Sequence, residues 1–141
     1  MRRVVIGVGN PDRGDDGAGI EVARRVRGVD AFQDATGSYR LIDLWEGAAE
    51  VIVVDAARSG APAGTVHRFQ EPDRPLSPGV LSSSTHSIGV QDTVELARTL
   101  GRLPERITVY GIEVADVTQG HGLSPPVEDA VRRLVEEIED A

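Results

Sequence analysis

A chain of 141 residues, 40% hydrophobic and 27% charged, is sized for one globular domain and excludes both a disordered chain and a pair of domains. Its net charge of −8 disfavours nucleic acid and anionic membrane surfaces as partners. Without cysteine it has no disulfide, no thiolate metal site and no cysteine nucleophile. Behind Arg2-Arg3, the apolar stretch Val4 to Val8 is too short for an export signal, and no stretch approaches a membrane span. The expected location is the cytoplasm.

Arg3 to Val8 is a β-branched apolar run ending in Gly-Asn-Pro, the pattern of a buried parallel strand. Gly17 to Val26 follows with Ile20, Ala23 and Val26 spaced by three, one face of a helix. Val29 to Phe32 reads as a weak strand and Tyr39 to Glu46 as a short helix with Leu41, Leu44 and Trp45 on one side. Val51 to Val54 is a buried strand closed by Asp55. Thr65 to Phe69 alternates like an edge strand, which leaves His67 exposed. Residues 71 to 85 are rich in Pro and Ser and form a long irregular connection. Ser87 to Leu100 reads as a helix with Gly101 at its C-terminal turn, and Ile107 to Ile112 as a strand. The last helix is capped by Ser124 and opened by Pro125, with Val127, Ala130, Val131, Leu134, Val135 and Ile138 at helical period. The alternation predicts a single α/β domain over residues 1–141, doubly wound, with a mostly parallel sheet of about five strands and helices on both faces.

The first strand runs into Gly7-Val8-Gly9-Asn10-Pro11-Asp12-Arg13-Gly14-Asp15-Asp16-Gly17. A glycine-rich turn here suggests a nucleotide, but the dinucleotide fingerprint needs glycine where this chain has Asp12, and no Gly-Lys-Ser/Thr follows. Asp12, Asp15 and Asp16 would also repel a phosphate. Aspartate at a helix start is ordinary capping chemistry and accounts for Asp15 alone. Of two adjacent carboxylates only one can cap, which leaves the other to face a ligand.

Asp55 stands at the carboxyl end of a strand, where open parallel sheets bind ligands, although strand-end aspartates also form plain turns. His86 ends the run Ser82-Ser83-Ser84-Thr85. Asp16, Asp55 and His86 together would make an O,O,N set suited to a divalent transition metal with open positions. His67 and His121 carry no comparable signal. A serine hydrolase is disfavoured: Ser82, Ser83 and Ser84 precede His86, but no Gly-x-Ser-x-Gly elbow exists.

Several segments match one family in order: Gly7-Val8-Gly9-Asn10 through Gly14-Asp15-Asp16-Gly17-x-Gly19, Leu41 to Gly47, Val51 to Ala56, Ser84-Thr85-His86, Leu100 to Pro104, Val109 to Glu113, and Gly122 to Pro125. The chain resembles the hydrogenase maturation proteases over nearly its whole length. The resemblance implies a five-stranded α/β domain. It implies an endopeptidase that removes the C-terminal tail of a nickel–iron hydrogenase large-subunit precursor after nickel insertion. It also implies that Asp16, Asp55 and His86 ligate nickel, which the precursor itself brings. Asp16 is then the main candidate for catalysis, with Asp15 as a general base or an orienting residue. Asp34 is assigned no role. The alternative is a nickel-sensing or chaperone-like module that holds the same precursor without cutting it.

Overall fold

The computed structural model describes residues 2–71, 89–115 and 122–141. Among them, five strands form one sheet: β1 (Arg3–Val8), β2 (Asp30–Asp34), β3 (Glu50–Ala57), β4 (Val66–Glu71) and β5 (Arg106–Glu113). The order across the sheet is β2-β1-β3-β5-β4, parallel except for β4, which runs antiparallel to β5 at the edge. A 3₁₀ turn (Gly14–Gly17) leads into α1 (Ala18–Arg25); α2 (Arg40–Leu44), α3 (Val90–Leu100) and α4 (Pro125–Asp140) follow.

Strand alternation sends side chains to two faces, and each face has its own core. On one, Val4, Ile6, Val51, Val53, Ile107 and Val109 pack under Leu41, Ile42 and Trp45 of the α2 region and Val90, Val94 and Ala97 of α3. On the other, Val5, Ile52, Val54 and Ile112 pack under Ala18 and Val22 of α1 and Val127, Val131, Leu134 and Ile138 of α4. Each fully buried branched side chain contributes about 1.5–3 kcal/mol. Helices thus cover both faces, as the alternation of elements predicts. No helix among the described residues is long and apolar enough to cross a membrane.

Two close contacts bring α1 hard against the sheet. A Cβ on Gly19 would lie 2.2 Å from the Val54 carbonyl oxygen and 2.7 Å from that of Val8, so only glycine lets the first turn of α1 sit on the ends of β1 and β3. The Arg25 guanidinium is bidentate to Glu128 at 2.7 and 2.8 Å, tying α1 to α4. Gly101 closes α3 in the left-handed conformation at φ 68°, as its position in the sequence predicts.

Three expectations need correction. Ser124 does stand before α4, but its side chain makes no capping hydrogen bond; the hydroxyl is drawn to Asp15 instead. His67 is not freely exposed, because a buried carboxylate on β5 holds it. Asp55 does not close β3, which continues to Ala57 because β5 pairs with it to Glu113. The segment carrying Ser82 to Ser84, His86 and the first residues of the helix expected from Ser87, and also His121, lie outside the described residues.

Candidate functional site

The chain enters β2 from β1 on one side and reaches β3 on the other, so the sheet has its topological switch point between β1 and β3. Loops leaving the carboxyl ends of such strands diverge there and leave a crevice. Asp16 comes from the loop after β1, Asp34 from the end of β2 and Asp55 from the last turn of β3.

Residues 10–16 fold back on themselves. The Asn10 N–H donates to both the main-chain oxygen of Asp16 (3.2 Å) and its Oδ2 (3.0 Å), and the Asp16 N–H donates to Arg13 O at 3.1 Å. One Asp16 oxygen is therefore fixed by the loop, and the other has no partner among the described residues. Asp16 is partly exposed.

Asp55 is buried, 3% exposed, and its Oδ1 accepts the Ala56 N–H at 2.8 Å. Burial pushes this carboxyl well above its ordinary range; the Ala56 N–H pulls the other way, and the nearby charge of Asp16 pushes it further up. A buried acid beside a second carboxylate sits poorly as an anion unless a cation joins it, and a divalent cation would reverse the balance. The donor chemistry therefore fits a metal. Among the described residues, however, no three His, Cys, Asp or Glu side chains gather into a metal-binding cluster. The structure brings Asp16 and Asp55 together; the third expected member, His86, lies outside the described residues.

Asp15 and Asp34 have other partners. Asp15 is fully buried and caps no helix. Its Oδ2 accepts the Ala115 N–H (2.8 Å) and the Ser124 hydroxyl (2.7 Å), and its Oδ1 accepts the Ser124 N–H (2.7 Å). It thus ties the loop carrying Asp16 to the exit of β5 and the start of α4. Asp34 Oδ2 takes the N–H groups of Thr36, Gly37 and Ser38, and Oδ1 takes Arg40, which builds the turn into α2.

A polar cluster missed in the sequence lies beyond Asp55. Glu113, at the end of β5, accepts the Ser59 N–H (2.9 Å), the Ser59 hydroxyl (2.7 Å), the Gly60 N–H (3.3 Å) and His67 Nε2 (3.0 Å). Burial alone would push Glu113 up, but the hydrogen bonds from Ser59, His67 and Gly60 outweigh it and hold the carboxyl below its ordinary range. The signal was a charged residue ending the apolar run Ile107 to Ile112, as Asp55 follows Val51 to Val54. Serine, histidine and glutamate in this order suggest a hydrolase triad, but the geometry does not make one. The Ser59 hydroxyl donates to Glu113, and Nε2, which lies 3.3 Å from that hydroxyl, is the same nitrogen that bonds Glu113. The ring nitrogen beside the serine hydroxyl is thus already engaged by Glu113, and the hydroxyl's own proton goes to that carboxylate.

These features define a doubly wound α/β domain with paired carboxylates at its switch point. The chain belongs to the hydrogenase maturation protease family, whose HycI family it matches over residues 20–141. It is 30% identical over 138 residues to the hydrogenase expression/formation protein HupD of Bradyrhizobium diazoefficiens, covering 92% of this chain and 72% of that one. It is 26% identical over 141 residues to HupD of Thiocapsa roseopersicina, covering 94% of this chain but spanning only 64% of the relative's length. The fold superposes on the [NiFe] hydrogenase maturation protease HybD from Thermococcus kodakarensis with a TM-score of 0.79 at 26% identity, covering 99% of this chain and 98% of the other. The Escherichia coli hydrogenase maturating endopeptidase HybD gives 0.76 at 23% identity, over 98% and 90% of the two chains.

Proposed function

We propose that the protein is an endopeptidase that removes the C-terminal tail of a nickel–iron hydrogenase large-subunit precursor once nickel is in place. The observation that carries the reading is the Asp16–Asp55 pair at the switch point, one carboxyl buried and raised by its burial and by its neighbour. Family membership supplies the class of substrate.

In this reading nickel arrives as part of the substrate, held by the precursor's own ligands. Asp16 offers its free oxygen and Asp55 its second oxygen, and His86 supplies the imidazole. A bound divalent metal can polarise a carbonyl or acidify a water. The residues of this chain do the positioning. Asp16 is presented by the folded loop, Asp15 holds that loop to α4, and the Asp55 carboxylate becomes favourable as an anion only when the cation is present. Coupling the charge state of Asp55 to the metal gives the site a way to test whether nickel has been inserted. With no thiolate of its own, the free protein holds nickel weakly.

Mixing the purified protein with nickel-loaded precursor and weighing the large subunit by mass spectrometry tests the reading. A shortened subunit supports the endopeptidase. A stable complex with the tail intact identifies the non-cleaving nickel-sensing or chaperone-like module instead.

A further inference from the structure

The turn after β2 borders the loop that carries Asp16. Gly9 donates its N–H to the Asp34 carbonyl oxygen at 3.1 Å, and the next residue, Asn10, donates to the Asp16 carboxylate. Asp34 Oδ2 then holds the N–H groups of Gly37 (2.8 Å) and Ser38 (3.3 Å). The turn lies against the ends of β1 and α3: a Cβ on Gly37 would be 2.6 Å from Val90 Cγ2 and 3.4 Å from Val8 Cγ1. Tyr39 comes directly after this turn and precedes α2. Asp55 alternates with Val51 and Val53, which pack under α2 and α3, so its side chain rises on the same side of the sheet. Tyr39 therefore stands at the rim of the crevice, in the layer on Asp55's side.

Neither packing nor capping accounts for an aromatic ring at this position. Tyr39 is 45% exposed, whereas Leu41, Ile42 and Trp45, which follow it, are buried in the core. It occupies the N-cap of α2, where Ser, Thr, Asp or Asn would satisfy a free N–H, and it makes no capping hydrogen bond. Its hydroxyl has no partner among the described residues. Among those residues one other large hydrophobic side chain is exposed, Leu100 at 54%. Leu100 ends α3, whose 11 residues carry it about 15 Å away from the Val90 end. The exposed aromatic is thus the one at the end of the sheet that holds Asp16 and Asp55. A tyrosine ring offers large, rigid apolar area at small entropic cost, which is why such rings anchor bound chains.

We propose that Tyr39 is a substrate-binding residue of this site: its ring packs against an apolar side chain of the precursor segment that lies at the crevice beside Asp16 and Asp55. The inference rests on the proposed endopeptidase reading and extends it to how the precursor is held. Tyr39 makes and breaks no bond, so its effect falls on binding rather than on the chemical step.

The two exposed apolar side chains supply the test and its control. KM and kcat for nickel-loaded precursor, and the Kd of the complex, are measured for the wild type, Tyr39→Ala, Tyr39→Phe and Leu100→Ala. Tyr39→Ala is expected to raise KM and Kd about tenfold with kcat within about twofold, the scale of an aromatic anchor removed from an interface. Tyr39→Phe keeps the ring and stays within about twofold of wild type. Leu100→Ala removes a similarly exposed side chain at the far end of α3 and leaves all three quantities near wild type. KM does not depend on how much enzyme is folded, so partial unfolding does not imitate this pattern. If Tyr39→Ala binds precursor as the wild type does, if Tyr39→Phe loses as much as Tyr39→Ala, or if Leu100→Ala weakens binding equally, the proposal is wrong. If the wild type cuts nothing, the endopeptidase reading fails by itself, and Kd alone decides the role of Tyr39.

Discussion

Asp15 and Ser124 are joined twice: the Ser124 N–H reaches Oδ1 and its hydroxyl reaches Oδ2, both at 2.7 Å, across 109 positions of sequence. Ala115 completes the set at 2.8 Å. Both oxygens of Asp15 accept from main-chain N–H groups, so an amide in its place must turn its NH₂ toward one of those donors. Asp15→Asn is therefore expected to destabilise the fold by about 1–3 kcal/mol, the cost of a buried donor left unpaired. Urea unfolding at neutral pH measures this, and an unchanged midpoint would show that the joint contributes nothing.

Asp16→Asn behaves in the opposite way. The amide oxygen can still accept the Asn10 N–H, so stability should stay within about 0.5 kcal/mol of wild type. Loss of the anionic oxygen should cut precursor processing by at least about a hundredfold, at or beyond the cost of removing an outer partner of a metal ligand. His86→Ala should lose processing to a similar degree. Thermal unfolding and gel-based cleavage of the same preparations separate the two effects; wild-type cleavage by Asp16→Asn would remove it from the site.

Asp55 predicts a pH signature. Its carboxyl is raised in the folded chain by burial, against the Ala56 N–H, and by Asp16. A raised folded pKa means that its favourable contribution is fully present below the ordinary carboxylate value. That contribution is lost as pH rises through the raised value. Asp55→Asn removes the buried charge and keeps an acceptor for Ala56. The variant should melt higher than wild type at about pH 8 and show no advantage near pH ~4, each pK unit of difference being worth about 1.4 kcal/mol. At this chain size that is several degrees in Tm. Melting curves across the range that run parallel for the two proteins would contradict the assignment. The same substitution should abolish processing, so stability and activity move in opposite directions.

Gly19→Ala tests the seat of α1. The added Cβ would meet two main-chain oxygens, of Val54 at 2.2 Å and Val8 at 2.7 Å, which cannot swing aside as a side chain could. A loss of about 3 kcal/mol or more is expected, at the upper end for overpacking, and α1 would be lifted from the strand ends beside the site. A fully stable Gly19→Ala protein would mean that α1 does not sit as described.

The layers of this fold were legible because they depend on local pattern. Apolar β-branched runs marked β1, β3 and β5, spacing by three marked α1, the full helical period marked α4, and Gly101 marked the end of α3. The candidate site stands out in the sequence only where charge interrupts those patterns, at Asp16 and Asp55. What escaped depends on partners far away in sequence. Ser124 has the right type for a helix cap, but Asp15 offers its hydroxyl a buried carboxylate, which the helix start does not match. His67 alternates like an exposed edge residue, and only the pairing of β4 with β5 brings it to Glu113. Asp55 lies inside β3 rather than after it because β5 supplies a neighbour as far as Ala57.

The most direct test of nickel-gated cleavage compares one preparation of precursor in two states. Nickel-loaded and rigorously nickel-free large subunit are incubated with the metal-free protein, with no metal added, and the mass of the subunit is followed over time. The account predicts loss of the C-terminal tail from the loaded precursor and an unchanged mass for the nickel-free one. Equal trimming of both, or an intact tail on both, would contradict it.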